Sequence, residues 1–272
     1  MFVTQNIREL SAQEAEFLSR LAAEGRTIFS TNEARSFWGN AAYTANVLNQ
    51  LVRKRWIQRL ERGVYMIIPL EAGPERAWSE NALVIVPHLI RPAAVAYWSA
   101  LHYWNMTEQV PRTVFVQCTR RKRAVEILGV RFRFVTIKPS RFFGVAQRTI
   151  DGKPIVVTDR EKTVLDAAAR PDLSGGSVHL AAALRTAHTE IDWMRLDHYL
   201  ERWDDRVAVK RLGYLLEVLS LPIPDQTTRL TRWQTTVSSG ISRLDPSLPA
   251  AGPIVTRWQL QVNVDPSGES RT

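Results

Sequence analysis

Apolar positions recur every three to four residues at the start of the chain. Ala15, Leu18, Leu21 and Ala22 fall on one helical face, and Ser11-Ala-Gln-Glu14 has capping-box spacing. A helix is predicted to about Glu24, closed by Gly25. Ser30-Thr-Asn-Glu33 repeats the box and opens a short second helix ending near Trp38, before the turn signal Gly39-Asn40. A third helix is expected from about Ala41 to Arg55. Its apolar side carries Thr44, Leu48, Leu51 and Val52, with Val47 at the margin. Two β-rich runs follow, Trp56 to Leu60 and Val64 to Ile67, joined through Glu61-Arg62-Gly63, where Gly63 supplies the positive φ of a tight turn.

Beyond Pro69 to Pro74, read as a linker, a helix-like stretch spans Glu75 to Val86. Ala93 to Tyr103, apolar on most sides, reads as a buried helix. Thr113 to Cys118 and Val130 to Ile137 read as paired strands. In the second of these, Arg131 and Arg133 alternate with Phe132 and Phe134, so one sheet face is basic and the other apolar. Thr158-Asp-Arg-Glu161 is a third capping-box match, opening a helix stopped by Arg170-Pro171. Further helical patterns occupy about 178–188, 193–203, 206–220 and 226–237, the last two parted by Pro222-Ile-Pro224. Trp258 to Val264 looks like a strand. No internal repeat or heptad pattern is present. The expected fold class is α+β: an N-terminal winged helix-turn-helix over 1–70, a basic α+β domain over 75–160, a mostly helical region over 161–265 and a disordered tail at 266–272.

The side of the third helix opposite its apolar stripe changes the picture from fold to function. It carries Tyr43, Asn46, Asn49, Gln50 and Arg53, with no carboxylate among them. Asn and Gln pair bidentately with adenine and Arg with guanine, so this is the chemistry of a major-groove reading face. A solvated surface has the same polarity. The order of elements, a short helix, a turn, an amphipathic helix and a hairpin, favours the reading face. Arg59 and Arg62 in the hairpin are placed to meet phosphate or a minor groove.

Charge sharpens this further. The net charge is +9. Residues 1–70 hold 9 Lys/Arg against 6 Asp/Glu, residues 71–150 hold 12 against 5, and residues 151–272 hold 15 against 16. All of the excess lies in the first 150 residues, where a polyanionic partner would be met. The loop Arg120, Arg121, Lys122, Arg123, with Arg131 and Arg133, is a candidate for DNA-backbone contact. A charge run of this kind is also an ordinary solvated surface.

The N-terminus lacks a basic start followed by an apolar stretch, and one cysteine, Cys118, permits no internal disulfide. A cytoplasmic protein without a membrane span is expected. Asp151-Gly-Lys153 has the Asp-x-Lys spacing of metal-dependent nucleases, but Asp-Gly is a strong turn signal, and no Asp or Glu lies between Glu126 and Asp151. His179, His188 and His198 are nine and ten residues apart, wrong for a helical ligand pair. Trp193 and Trp203 read as core or partner-facing aromatics. No phosphate-cradling or dinucleotide motif occurs. No catalytic residue, metal or cofactor is expected.

Four segments together resemble the AbiEi antitoxins, regulatory partners in abortive-infection toxin–antitoxin pairs. They are Trp56-Ile-Gln-Arg-Leu-Glu-Arg-Gly-Val-Tyr65, Tyr97-Trp-Ser-Ala-Leu101, Thr158-Asp-Arg-Glu-Lys-Thr-Val-Leu-Asp166 and Lys210-Arg-Leu-Gly-Tyr-Leu-Leu-Glu217. The resemblance implies a winged helix that represses its own operon at repeated operator sites. It also implies a C-terminal region that counters a nucleotidyltransferase toxin, with or without a stable complex. A winged-helix regulator without antitoxin activity, and a DNA-processing enzyme targeted by the winged helix, are the alternatives.

Overall fold

Helix α1, Ala12–Ala23, starts where Ser11 and Glu14 exchange hydrogen bonds with each other's backbone amides, and α2, Thr31–Trp38, starts in the same way at Ser30 and Glu33. Reciprocal bonds of this kind satisfy two amides that the first helical turn leaves orphaned. The computed structural model describes residues 9–70 and 81–267. Between the two helices lies β1, Ile28–Ser30, which the sequence reading missed. Three residues are too few to show an alternation, and β1 forms because it pairs antiparallel with β3, Val64–Ile67. Helix α3, Ala41–Arg53, and β2, Ile57–Glu61, complete the module, whose sheet runs β1-β3-β2.

An aromatic cluster holds this module together. Phe17 lies 5.2 Å from Phe29, edge to face, and 4.5 Å from Trp38. Val47, Leu48 and Leu51 of α3 pack into the same core. Rings at these separations add a pairwise attraction to the area they bury.

The chain divides by its contacts into two units. The first takes the described residues up to Arg91 together with Glu126–Val130 and Thr149–Ile155; the second takes the rest. In the first unit, α4 spans Ala82–Leu89 and continues past Pro87, so the helix expected to end at Val86 runs one turn further. The expected linker and the start of that helix fall largely at 71–80, outside the described residues, as does most of the expected tail.

A six-stranded sheet has the order β6-β7-β5-β4-β9-β8. Its strands are β4 Ala93–Val95, β5 Thr113–Cys118, β6 Val125–Ile127, β7 Val130–Thr136, β8 Val145–Ile150 and β9 Lys153–Thr158. The paired strands β5 and β7 are parallel, with Phe115 opposite Arg133. The single helix expected over 93–103 is instead β4 followed by α5, Tyr97–Tyr103. Val95 is paired on both sides, with Val116 and with Val157, so Ala94 and Val95 are fully buried and the apolar run looks the same as a buried helix. Ala96 is extended and Tyr97 has φ +54, which separates the two elements.

The remaining helices are α6 Arg160–Ala169, α7 Ser177–Ala187, α8 Trp193–Trp203, α9 Arg206–Leu219 and α10 Gln226–Gln234. Helix α6 is the centre of their core, with α5, α7, α8 and α9 around it. Its cap is Asp159, whose carboxylate accepts from the Lys162 amide at 2.8 Å, and not Thr158 as the motif spacing indicated. Thr158 ends β9, and its hydroxyl lies 2.8 Å from that of Thr163. Glu161 reaches away to the Asp192 amide at the start of α8, 2.8 Å. Short strands β10 Ser242–Arg243, β11 Ile254–Val255 and β12 Leu260–Gln261 form a last small sheet. The strand expected over Trp258 to Val264 is reduced to β12, because Thr256–Trp258 is a 3-10 turn and Gln259 is left-handed.

Candidate nucleic-acid interface

Helix α3 is capped by Asn40, whose side-chain oxygen accepts from the Tyr43 amide at 3.0 Å. Gly39, with φ +77, makes the turn from α2 that a Cβ-bearing residue adopts only at a cost. Thr44, Val47, Leu48 and Leu51 are buried, which turns the other side of the helix outward. Tyr43, Asn46, Asn49, Gln50 and Arg53 are all exposed. Tyr43 is tethered, its hydroxyl 2.9 Å from the Gln13 side-chain oxygen on α1. Ala42 and Ala45 are exposed on the same side, two positions that sequence reasoning passed over. Their signal was the interruption of a polar face by residues too small to hold a surface away.

The far end of α3 is fixed by charge. Lys54, its C-cap, donates to both oxygens of Glu14 at 3.0 and 2.7 Å. Glu14 is 3% exposed. Burial pushes its carboxyl up, but the Lys54 ammonium and the Ser11 amide and hydroxyl outweigh that and hold it below the usual range.

Strands β2 and β3 form the wing. Gly63, φ +79, closes the turn, and its carbonyl accepts from the Thr31 amide at 2.9 Å, anchoring the turn to the start of α2. Arg59 and Arg62 are exposed, Arg59 donating to the Glu61 carbonyl at 3.3 Å.

In the second unit Arg131 and Arg133 are exposed on β7 while Phe132 is buried between them. The Arg133 guanidinium lies 5.8 Å from the Phe115 ring centroid. Arg120, Arg121 and Arg123 are exposed, and Lys122 is half-buried over Phe134.

The Asp151-Gly152 pair is a turn between β8 and β9, with φ +49 and +74, the two left-handed residues of a type I′ hairpin. His179 packs against Trp98, and the His188 Nδ1–H donates to the Arg185 carbonyl at 3.0 Å. Among the described residues no three His, Cys, Asp or Glu gather as a metal site, and no helix is long and apolar enough to cross a membrane. Trp193 and Trp203 are core residues.

Helix, strand, two helices and a two-stranded wing in this order define the first module as a winged helix-turn-helix. Residues 16–68 match the family model described as "Transcriptional regulator, AbiEi antitoxin". Across the chain, the fold is similar to the crystal structure of the RV2827C protein from Mycobacterium tuberculosis. The TM-score is 0.68 and the identity 18%, with 93% of this chain and 92% of that one covered. No curated protein matches the sequence.

The other three segments that carry the resemblance are built into the second unit. Lys162 and Asp166 form an ion pair with no exposed side-chain surface. Burial lowers the ammonium's pKa and raises the carboxyl's. Lys210 donates to the Gly240 carbonyl, and Arg211 to those of Ala168, Ala169 and Arg243. Gly213 faces the Trp258 ring, and Glu217 accepts from the Trp258 indole at 2.6 Å. Tyr97 to Leu101 opens α5.

Proposed function

We propose that this protein is a winged-helix repressor of its own operon and the antitoxin of an AbiE-type pair, countering a nucleotidyltransferase toxin. Its site of action is duplex DNA in the cytoplasm. The observation that carries the DNA reading is the outward side of α3: two Asn, one Gln and one Arg exposed along a helix with no carboxylate. Ala42 and Ala45 let such a helix approach base edges closely. The wing arginines Arg59 and Arg62 contact phosphate, and Arg120, Arg121, Lys122, Arg123, Arg131 and Arg133 extend the backbone contact. The match of residues 16–68 to a regulator and antitoxin family supports the same reading.

Fluorescence anisotropy with a duplex from upstream of its own reading frame tests the first half. Asn46→Ala/Gln50→Ala/Arg53→Ala should abolish discrimination against scrambled duplex, a loss of tenfold or more in relative affinity. Arg62→Ala should weaken specific and scrambled duplex alike and reduce the salt slope by about one. Unchanged discrimination in the triple variant would refute the role of α3. For the second half, the full-length triple variant should still rescue growth from the adjacent gene's toxin. Failure of the folded wild-type chain to rescue would leave a regulator alone.

A further inference from the structure

The second unit contains a cleft of about 220 Å³ that the DNA reading does not use. Its lining includes Tyr97, Lys138, Arg141, Arg170, Trp203 and Asp205. A second cavity, about 470 Å³, shares Ala169, Arg170 and Asp205 with it and adds Asp172, Arg211 and Ser247.

The charges around the first cleft do not balance. Neither Lys138 nor Arg141 has a carboxylate partner among the described residues. Arg170 is paired with Asp172, and the lone acid, Asp205, accepts from the Val207 amide at 3.1 Å as the cap of α9. Arg141 lies against the Trp203 ring, its guanidinium carbon 4.4 Å from the centroid, and the Lys162 ammonium is also 4.4 Å from that ring. A guanidinium stacked on an aromatic ring still has its edge N–H groups to offer to an oxyanion. The Trp203 indole N–H is buried and has no acceptor among the described residues. Tyr97, at the cleft wall, holds a left-handed backbone, the kind of strain that persists where surrounding structure fixes it and that gathers at binding sites. In the adjoining cavity Arg211 is 4% exposed and, among the described residues, donates to carbonyl oxygens alone. The Asp172 carboxylate, paired with Arg170, and the Ser247 hydroxyl, which donates to Asp245 at 2.6 Å, keep lone pairs that can accept from a ligand hydroxyl.

We propose that this cleft binds a small phosphomonoester, the phosphate held by Lys138 and Arg141 and a hydroxyl-bearing organic part lying in the adjoining cavity. The cleft beside Lys138 and Arg141, about 220 Å³, is below the range of about 300–1,000 Å³ for drug-sized ligands and suits a phosphate group, while the adjoining cavity, about 470 Å³, has room for a small organic part. The fork of Arg141 supplies the directed bonds and Lys138 a point charge.

Calorimetric titration of the full-length protein at fixed ionic strength tests this with inorganic phosphate, ribose 5-phosphate and ribose. Phosphate should bind saturably with one site, and ribose 5-phosphate at least tenfold more tightly, while ribose gives no saturable heat. Lys138→Gln/Arg141→Gln should weaken both anions tenfold or more. Arg141→Lys, which keeps the stacked cation and loses the fork, should fall between. The Asn46/Gln50/Arg53 triple variant should bind as wild type. No saturable binding of either anion would overturn the proposal. So would undiminished binding by the folded double variant, or loss of binding in the α3 variant. Loss of duplex binding by the double variant without anion binding by wild type would assign the cleft to DNA backbone and also overturn it.

Discussion

Glu14 serves two parts of the winged helix at once. It closes the cap of α1 at the Ser11 amide, 2.7 Å, and it neutralises Lys54 at the end of α3. Glu14→Ala is expected to cost about 1–3 kcal/mol, the sum of a lost cap and a half-buried ammonium left without its partner. Because the folded-state pKa is lowered, this stabilisation is complete above the ordinary value of 4.5 and drains away as pH falls through the depressed one. Glu33, held low by its own cap and by Arg26 against the opposing effect of burial, behaves alike. Urea midpoints of the wild type should therefore fall steeply below about pH 4.5, and those of Glu14→Gln less so.

The buried pair on α6 sets a different trade. Lys162→Met strands Asp166 in the core at about 3–5 kcal/mol, a loss that Lys162→Met/Asp166→Leu should largely recover. Equal destabilisation in the single and double variants, read by thermal melting, would show that the pair does not act as one. These two side chains belong to a motif whose residue types suggest a surface. Only the packing of α5, α7, α8 and α9 around α6 reveals that the charge is internal.

Helix α9 organises the chain on its C-terminal side. Successive residues Lys210, Arg211, Gly213 and Glu217 grip the segment from Gly240 to Trp258. A Cβ at Gly213 would stand 2.2 Å from the Trp258 ring, so Gly213→Ala must displace that indole. Overpacking of this kind costs about 1–3 kcal/mol or more. Differential scanning calorimetry should record a fall of several degrees.

Legibility in the sequence tracked the range of the interactions. The caps at Ser11 and Ser30, the amphipathic side of α3 and the Gly63 turn depend on neighbours within a few positions, and each could be read directly. So could the helices of the second unit, to within about a turn. The strands β1 and β4 could not, because their partners lie at Tyr65, Val116 and Val157, far along the chain. The cap of α6 slipped by one residue for the same reason: Thr158 also bonds the Val95 carbonyl. Of the candidate DNA-contacting residues, type and exposure on α3 were both legible. The tether from Tyr43 to Gln13 was not, since it spans thirty positions.

At the scale of the molecule, the proposed DNA binding would make affinity for duplex a matter of ionic strength, because of the excess charge. Neutralising Arg120, Arg121 and Arg123 together is expected to shallow the plot of log K against log salt by about 2–3, one step per phosphate contact. An unchanged slope would confine the footprint to the winged helix.

The two cores differ in when they can close. The one behind α3 uses residues from Phe17 to Tyr65, whereas the one around α6 needs everything from Leu101 to Leu260. At synthesis rates of about 5–20 residues per second, the second is completed roughly 10–40 s after the first. During that interval a nascent chain carries a finished winged helix on a body still being made. On the proposed autorepressor reading, and where translation is coupled to transcription, that module would emerge within reach of the template that encodes it.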